Sequence, residues 1–78
     1  MSRVKKLYKS YEIEATAFPL RDGGFTVRVS IIKHSGSYVD ETQFETEQTF
    51  QQETEALDAG IILAQRQIDA GFVPTTVV

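Results

Sequence analysis

Two alternating stretches on either side of a glycine-rich turn constrain this chain more than any other feature. Tyr11, Ile13, Ala15 and Ala17 alternate with Glu12, Glu14 and Thr16, and Phe25, Val27, Val29 and Ile31 alternate with Thr26, Arg28 and Ser30. Successive side chains of a strand point to opposite faces, so each stretch predicts a β-strand with one apolar and one wet face. Between them lies PLRDGG, in which Pro19, Asp22, Gly23 and Gly24 carry turn chemistry. The two strands should pair as an antiparallel hairpin. Both apolar sets occupy odd positions and directly opposite residues share a face, so paired numbers must sum to an even value, 42 or 44. Either register brings Arg28 opposite or diagonal to Glu14 and predicts a cross-strand ion pair worth under ~1 kcal/mol.

A third strand is expected over 41–49, ETQFETEQT, with Phe44 and Thr46 inward and Glu45 and Glu47 outward. Its acidic character fits a sheet edge, where charge discourages edge-to-edge pairing. The period then changes. Leu57, Ile61, Ala64, Ile68 and Phe72 recur at three- and four-residue spacing, which is one face of a helix, widened by Ala56, Gly60 and Leu63. Thr49 and Gln52 have capping-box spacing, placing the helix start between 50 and 53. Gly71 is a natural residue just past the helix end, and Pro74 prevents continuation. Gly60 inside the helix costs about 1 kcal/mol relative to alanine. The preferred explanation is a close approach of helix to sheet, under Tyr11 or Phe25; the other is a helix–helix contact between copies.

The expected fold is α+β: a three-stranded antiparallel meander packed against one C-terminal α-helix, β-β-β-α. Residues 1–78 form a single domain, with 1–7 a loose basic arm and 72–78 a tail able to add a short strand. The predicted core holds Tyr11, Ile13, Ala15, Phe25, Val27, Val29, Ile31, Phe44, Leu57, Ile61, Ala64 and Ile68.

A chain of 78 residues buries a modest core, worth only roughly 3–5 kcal/mol of net stability. It has no cysteine and one histidine, so disulfides, thiolate metal sites and histidine-rich zinc sites cannot supply extra support. Very regular packing or self-association can. No apolar run approaches the roughly 18 residues of a membrane helix, and the basic start is not followed by the apolar stretch of a secretion signal. A soluble, cytoplasmic protein is the expectation.

Charge is unevenly divided. Residues 1–34 carry Arg3, Lys5, Lys6, Lys9, Arg21, Arg28 and Lys33 against Glu12, Glu14 and Asp22, a balance of +4. Residues 35–78 carry only Arg66 against Asp40, Glu41, Glu45, Glu47, Glu53, Glu55, Asp58 and Asp69, a balance of −7 that brings the whole to −3. The halves can neutralise each other within one fold, or the basic side of one copy can meet the acidic side of another. A third use is contact with a polyanion through Arg3, Lys5, Lys6, Lys9, Arg28 and Lys33, although an acidic domain repels phosphate at long range.

Chemistry-bearing motifs are scarce. His34 in KHSGS lacks a second histidine or a cysteine, and a Ser-Gly-Ser loop does not hold Ser35 or Ser37 rigidly enough to act with it. It reads as an exposed strand-end histidine. The same stretch lacks the strand-to-helix context of a phosphate loop. Asp40, Glu41, Glu45 and Glu47 lack the oxygen-ligand spacing of a calcium loop and read as a solvated edge. No cofactor is implied. Four apolar residues stand off the predicted core: Phe18, Ile32, Tyr38 and Ile62. They are candidate contacts with a protein partner.

The order strand-strand-strand-helix, with EALDAGIILAQRQIDAG over 55–71, resembles short bacterial domains of unknown function. These share a glycine-turned hairpin and a closing helix ending in Ile-Asp-x-Gly, here Ile68, Asp69, Ala70 and Gly71. That resemblance implies the fold and no activity. In architecture the order is also similar to the DNA-binding domains of plant ethylene-response factors and phage integrase arms, which read DNA with a basic, aromatic sheet face. Here the expected wet face offers Glu12, Glu14, Arg28, Glu45 and Glu47 instead. The functional expectation is therefore a non-enzymatic protein-interaction or regulatory module, acting as a homodimer or on another protein. A nucleic-acid binder is the alternative, and a small enzyme built around His34 the third.

Overall fold

The computed structural model describes residues 2–71. The tail 72–78, including Phe72 of the predicted helix stripe, lies outside the described residues. The fold is α+β, and its antiparallel sheet has four strands rather than three. They run β1 Ser2–Tyr8, β2 Tyr11–Pro19, β3 Phe25–Ser35 and β4 Tyr38–Glu45, side by side in chain order, followed by helix α1 Glu53–Asp69.

The additional strand is β1, formed by the residues expected to be a loose arm. Val4, Lys6 and Tyr8 pair with Ala15, Ile13 and Tyr11, so they share the helix-facing side of the sheet, while Arg3, Lys5 and Leu7 face away. Only Val4 and Tyr8 mark the apolar side, and lysines occupy both sides, as suits an edge strand. That hides the alternation. The connecting turn hides it further: Lys9 and Ser10 both hold positive φ, 47° and 72°. A two-residue hairpin loop of the I′ kind requires this and usually recruits Asn-Gly.

β2 and β3 pair with numbers summing to 44, as in Ile13 with Ile31 and Ala15 with Val29. The β3–β4 turn is Gly36-Ser37, where Gly36 takes φ +61°, the glycine-first pattern of a II′ turn. So short a turn starts β4 at Tyr38, not Glu41. The ladder with β3 ends at Glu45, not Thr49, because residues 46–49 loop out and Phe50 takes the place opposite Phe25. Its amide and carbonyl exchange hydrogen bonds of 2.8 and 2.7 Å with those of Phe25.

α1 begins without the expected capping box; Gln52 precedes it in extended conformation with no side-chain cap. Glu53 and Glu55 in the first turn and Arg66 in the last complement the helix dipole instead. The end is as read from the sequence: Gly71, at φ +87°, donates its amide to the Ile68 carbonyl.

The helix lies across β1, β2 and β3. Its inner face is narrow because Ala56, Gly60 and Ala64 recur every fourth residue and all are buried. A Cβ built on Gly60 would stand 2.9 Å from Val27 Cγ2, 3.0 Å from Val29 Cγ2 and 3.4 Å from Ala15 Cβ. The close approach to the sheet is therefore real, but over these three residues rather than Tyr11 or Phe25. Ile13, Val27, Val29 and Ile31 are the largest fully buried side chains, each worth about 1.5–3 kcal/mol by burial. Tyr11, Phe25 and Phe44, expected in the core, pack around it half-buried, together with Tyr8 and Phe50. At one end Tyr8 donates its hydroxyl to Asp69 at 2.9 Å and Lys9 donates at 2.6 Å, fastening the first hairpin to the helix C-terminus. Lys9 holds the Asp69 carboxyl below its ordinary range, with help from Tyr8, and the carboxylate in turn raises the Lys9 ammonium.

Candidate functional site: the open face of the sheet

With α1 on one side, no described residue covers the other side of the sheet. The strand registers arrange that face in rows. Arg3, Thr16, Arg28 and Glu45 make one row, Lys5, Glu14, Ser30 and Gln43 the next, and Leu7, Glu12, Ile32 and Glu41 a third. Phe18 lies beyond the first row beside Thr26, and His34 with Val39 beyond the third.

Read down the strands, the charges segregate into columns. β1 presents Arg3 and Lys5, β2 presents Glu12 and Glu14, β3 presents Arg28 and His34, and β4 presents Glu41 and Glu45. Neighbouring columns neutralise each other within the chain. Arg28 donates to Glu45 at 2.8 Å, Arg3 lies 3.6 Å from Glu14, and Lys5 lies 3.9 and 3.7 Å from Glu12 and Glu14. These are exposed pairs, each contributing under ~1 kcal/mol. The sequence-based pair Arg28–Glu14 does not form: the 44 register puts Thr16 opposite Arg28 and Glu14 diagonal to it, and the neighbouring strand β4 delivers Glu45 directly opposite Arg28.

A concavity of about 590 Å³ crosses the face between Arg3, Glu14, Phe18, Arg28, Ser30 and Gln43. Ser30 at its floor is only 5% exposed, set among the longer side chains of Arg3, Glu14, Arg28 and Gln43. The Arg28 guanidinium sits 4.8 Å from the centre of the Phe18 ring, a stacking contact that holds both flat on the sheet. A second depression, about 480 Å³, lies beside the helix where β4 has ended, between Val27, Phe50, Ile62, Leu63 and Arg66.

The residues picked out from the sequence are only partly brought together. Phe18 and Ile32 share the open face, Ile62 is on the far surface of the helix and 48% exposed, and Tyr38 is exposed at the β3–β4 turn. Of the six candidate polyanion contacts, Arg3, Lys5 and Arg28 are on the open face. Lys6 points to the helix side, Lys33 stands over the Tyr11 ring, and Lys9 is engaged with Asp69. His34 is exposed, with its Nε2 3.8 Å from a Glu12 oxygen. Sequence reasoning missed Leu7 and Val39, 78% and 60% exposed. Leu7 has the parity of Arg3 and Lys5 once 2–8 is recognised as a strand.

Among the described residues no three histidine, cysteine, aspartate or glutamate side chains gather as a metal site, and no helix is long and apolar enough to cross a membrane. Comparison with protein-family models, with curated proteins and with solved structures finds no match to this chain.

Proposed function

We propose that the protein is a non-enzymatic interaction module whose open sheet face is covered by a second copy of the chain. One observation carries this reading. Among the described residues the sheet is layered on one side only, and its other side holds Leu7, Phe18, Ile32 and Val39 among charges already paired with one another. Small domains bury a sheet against a second layer, and a chain this short without disulfides gains stability from a partner. The area is adequate. Four strands about 4.8 Å apart and some seven residues long project roughly 450 Å². Side chains standing off the sheet raise the accessible area toward the roughly 800 Å² per partner of a standard interface.

Self-pairing is favoured over a polyanion because the face alternates in sign, with Glu12, Glu14, Glu41 and Glu45 beside its three strong cations. Phosphate would meet as much repulsion as attraction there. A cysteine-free chain suits a reducing compartment such as the cytoplasm.

Sedimentation equilibrium tests the proposal. The expected result is a monomer–dimer equilibrium with the dimer populated at micromolar to high micromolar concentration. A monomer throughout that range contradicts it.

A further inference from the structure

The layout of charge on the open face specifies how the second copy must lie. Resting on the dimer proposed above, we infer that the two sheets pack face to face about a two-fold axis running parallel to the strands, so that β1 of each copy faces β4 of the other. A two-fold that brings identical faces together lies in the plane between them and is bounded by two orientations, across the strands or along them. An axis across the strands lays every column on itself. Rows reverse within each column, so with the axis over the middle row Lys5 meets Lys5, Glu14 meets Glu14 and Glu41 meets Glu45. Like charges then confront each other in the β1, β2 and β4 columns, which disfavours that mode.

An axis along the strands reverses the column order. The basic β1 then meets the acidic β4, and the acidic β2 meets β3 with Arg28. Every column faces one of opposite sign. Rotation about this axis carries no shift along it, so rows are kept. Arg3 lies over the partner's Glu45, Lys5 over the partner's Gln43, Thr16 over the partner's Arg28 and Glu12 over the partner's Ile32. Aligned sheets cross at about −30°, which displaces the outer columns by about one residue and brings Lys5 within range of the partner's Glu41 or Glu45. Sheets pack about 10 Å apart, a gap that an arginine and a glutamate reaching from opposite sides close. Glu45, already held by Arg28 at 2.8 Å, gains a second guanidinium from across the interface. The basic edge and the acidic edge of one sheet are complementary to their own images.

Charge reversal tests this orientation separately from dimerisation. Arg3 and Glu45 are well exposed, with 64% and 59% of their side chains accessible, so Arg3→Glu and Glu45→Arg should fold, as circular dichroism and thermal melts will show. Each single reversal is expected to weaken the dimer about tenfold or more, and the double reversal R3E/E45R to restore it to within about threefold of the original. The second readout uses the absence of cysteine. Copies carrying R3C mixed with copies carrying E45C should be joined by a short bismaleimide far faster than R3C copies with each other. Reversals that leave the dimer unchanged, or R3C copies that join each other preferentially, overturn the orientation while leaving the dimer itself standing. A monomeric parent chain overturns both.

Discussion

Replacing Gly60 with alanine sets two known effects against each other, and the structure decides which prevails. In an exposed helix interior the change stabilises by about 1 kcal/mol, because glycine is the poorer helix former. Here the new methyl carbon arrives 2.9 Å from Val27 Cγ2 and 3.0 Å from Val29 Cγ2, where carbon atoms normally rest about 3.5–4.0 Å apart. Neither valine can turn away easily. Both are fully buried, and a β-branched side chain has little freedom at χ1. The helix must lift by ~0.6–1 Å or the sheet must give, and overpacking of that kind costs about 1–3 kcal/mol. The expected net result is a loss of about 1 kcal/mol, which in a domain of this size lowers Tm by about 4–8 °C. Urea and thermal melts of Gly60→Ala measure it. A control sharpens the reasoning: Val27→Ala removes the nearer of the two obstructing methyls, so Gly60→Ala should cost measurably less in that background. A higher Tm for Gly60→Ala alone, or no coupling to position 27, would refute the close-approach argument.

Three further outcomes follow from the same structure. Ser10→Gly should raise stability by about 0.5–1 kcal/mol in denaturant titrations, because Ser10 holds φ 72°, a conformation that disfavours side chains. The Lys9–Asp69 contact should appear as pH dependence. Asp69 is held below its ordinary value near 3.8 and Lys9 above its ordinary value near 10.5. The contribution is therefore complete between those two values, fading as pH falls through the depressed Asp69 titration and as it rises through the elevated Lys9 titration. Asp69→Asn should lower Tm at neutral pH and converge with the parent in strong acid, and equal gaps at both pH values would contradict the assignment. Deleting residues 1–8 should abolish cooperative melting, since it removes a whole strand with Tyr8; a loose arm would be dispensable.

What the sequence revealed, and what it hid, follow from where each signal resides. β2 and β3 were legible because one face of each is fully buried, so Ile13, Ala15, Val27 and Val29 must alternate cleanly with polar residues. The helix was legible for the same reason, and even Gly60 pointed to the right cause, though the sequence named the wrong neighbours. β1 was illegible because an edge strand beside the rim of the helix brings only Tyr8 against the core, and because a Lys-Ser turn lacks the usual signature. Missing β1 concealed the basic column of the open face. Without that strand Arg3, Lys5 and Leu7 read as a basic arm instead of one side of a charged, striped surface. The end of β4 was misplaced because Thr46 to Thr49 continue the polar pattern of the strand while the backbone loops out. Only the Phe25–Phe50 bridge, a contact between residues far apart in sequence, reveals where the ladder stops. Phe18 and Ile32 were rightly set apart from the core, and parity alone placed them together. No sequence rule linked them to Tyr38 or Ile62, which lie elsewhere.

The central claim, that the bare face of the sheet is the surface met by a second copy, is tested most directly by recording amide chemical shifts across a dilution series. The account predicts concentration-dependent shifts along the open face, at Arg3, Lys5, Glu14, Ser30, Gln43 and Glu45, with the outer helix surface around Asp58 and Ile62 unchanged. Shifts confined to the helix surface, or none at any concentration, would contradict it.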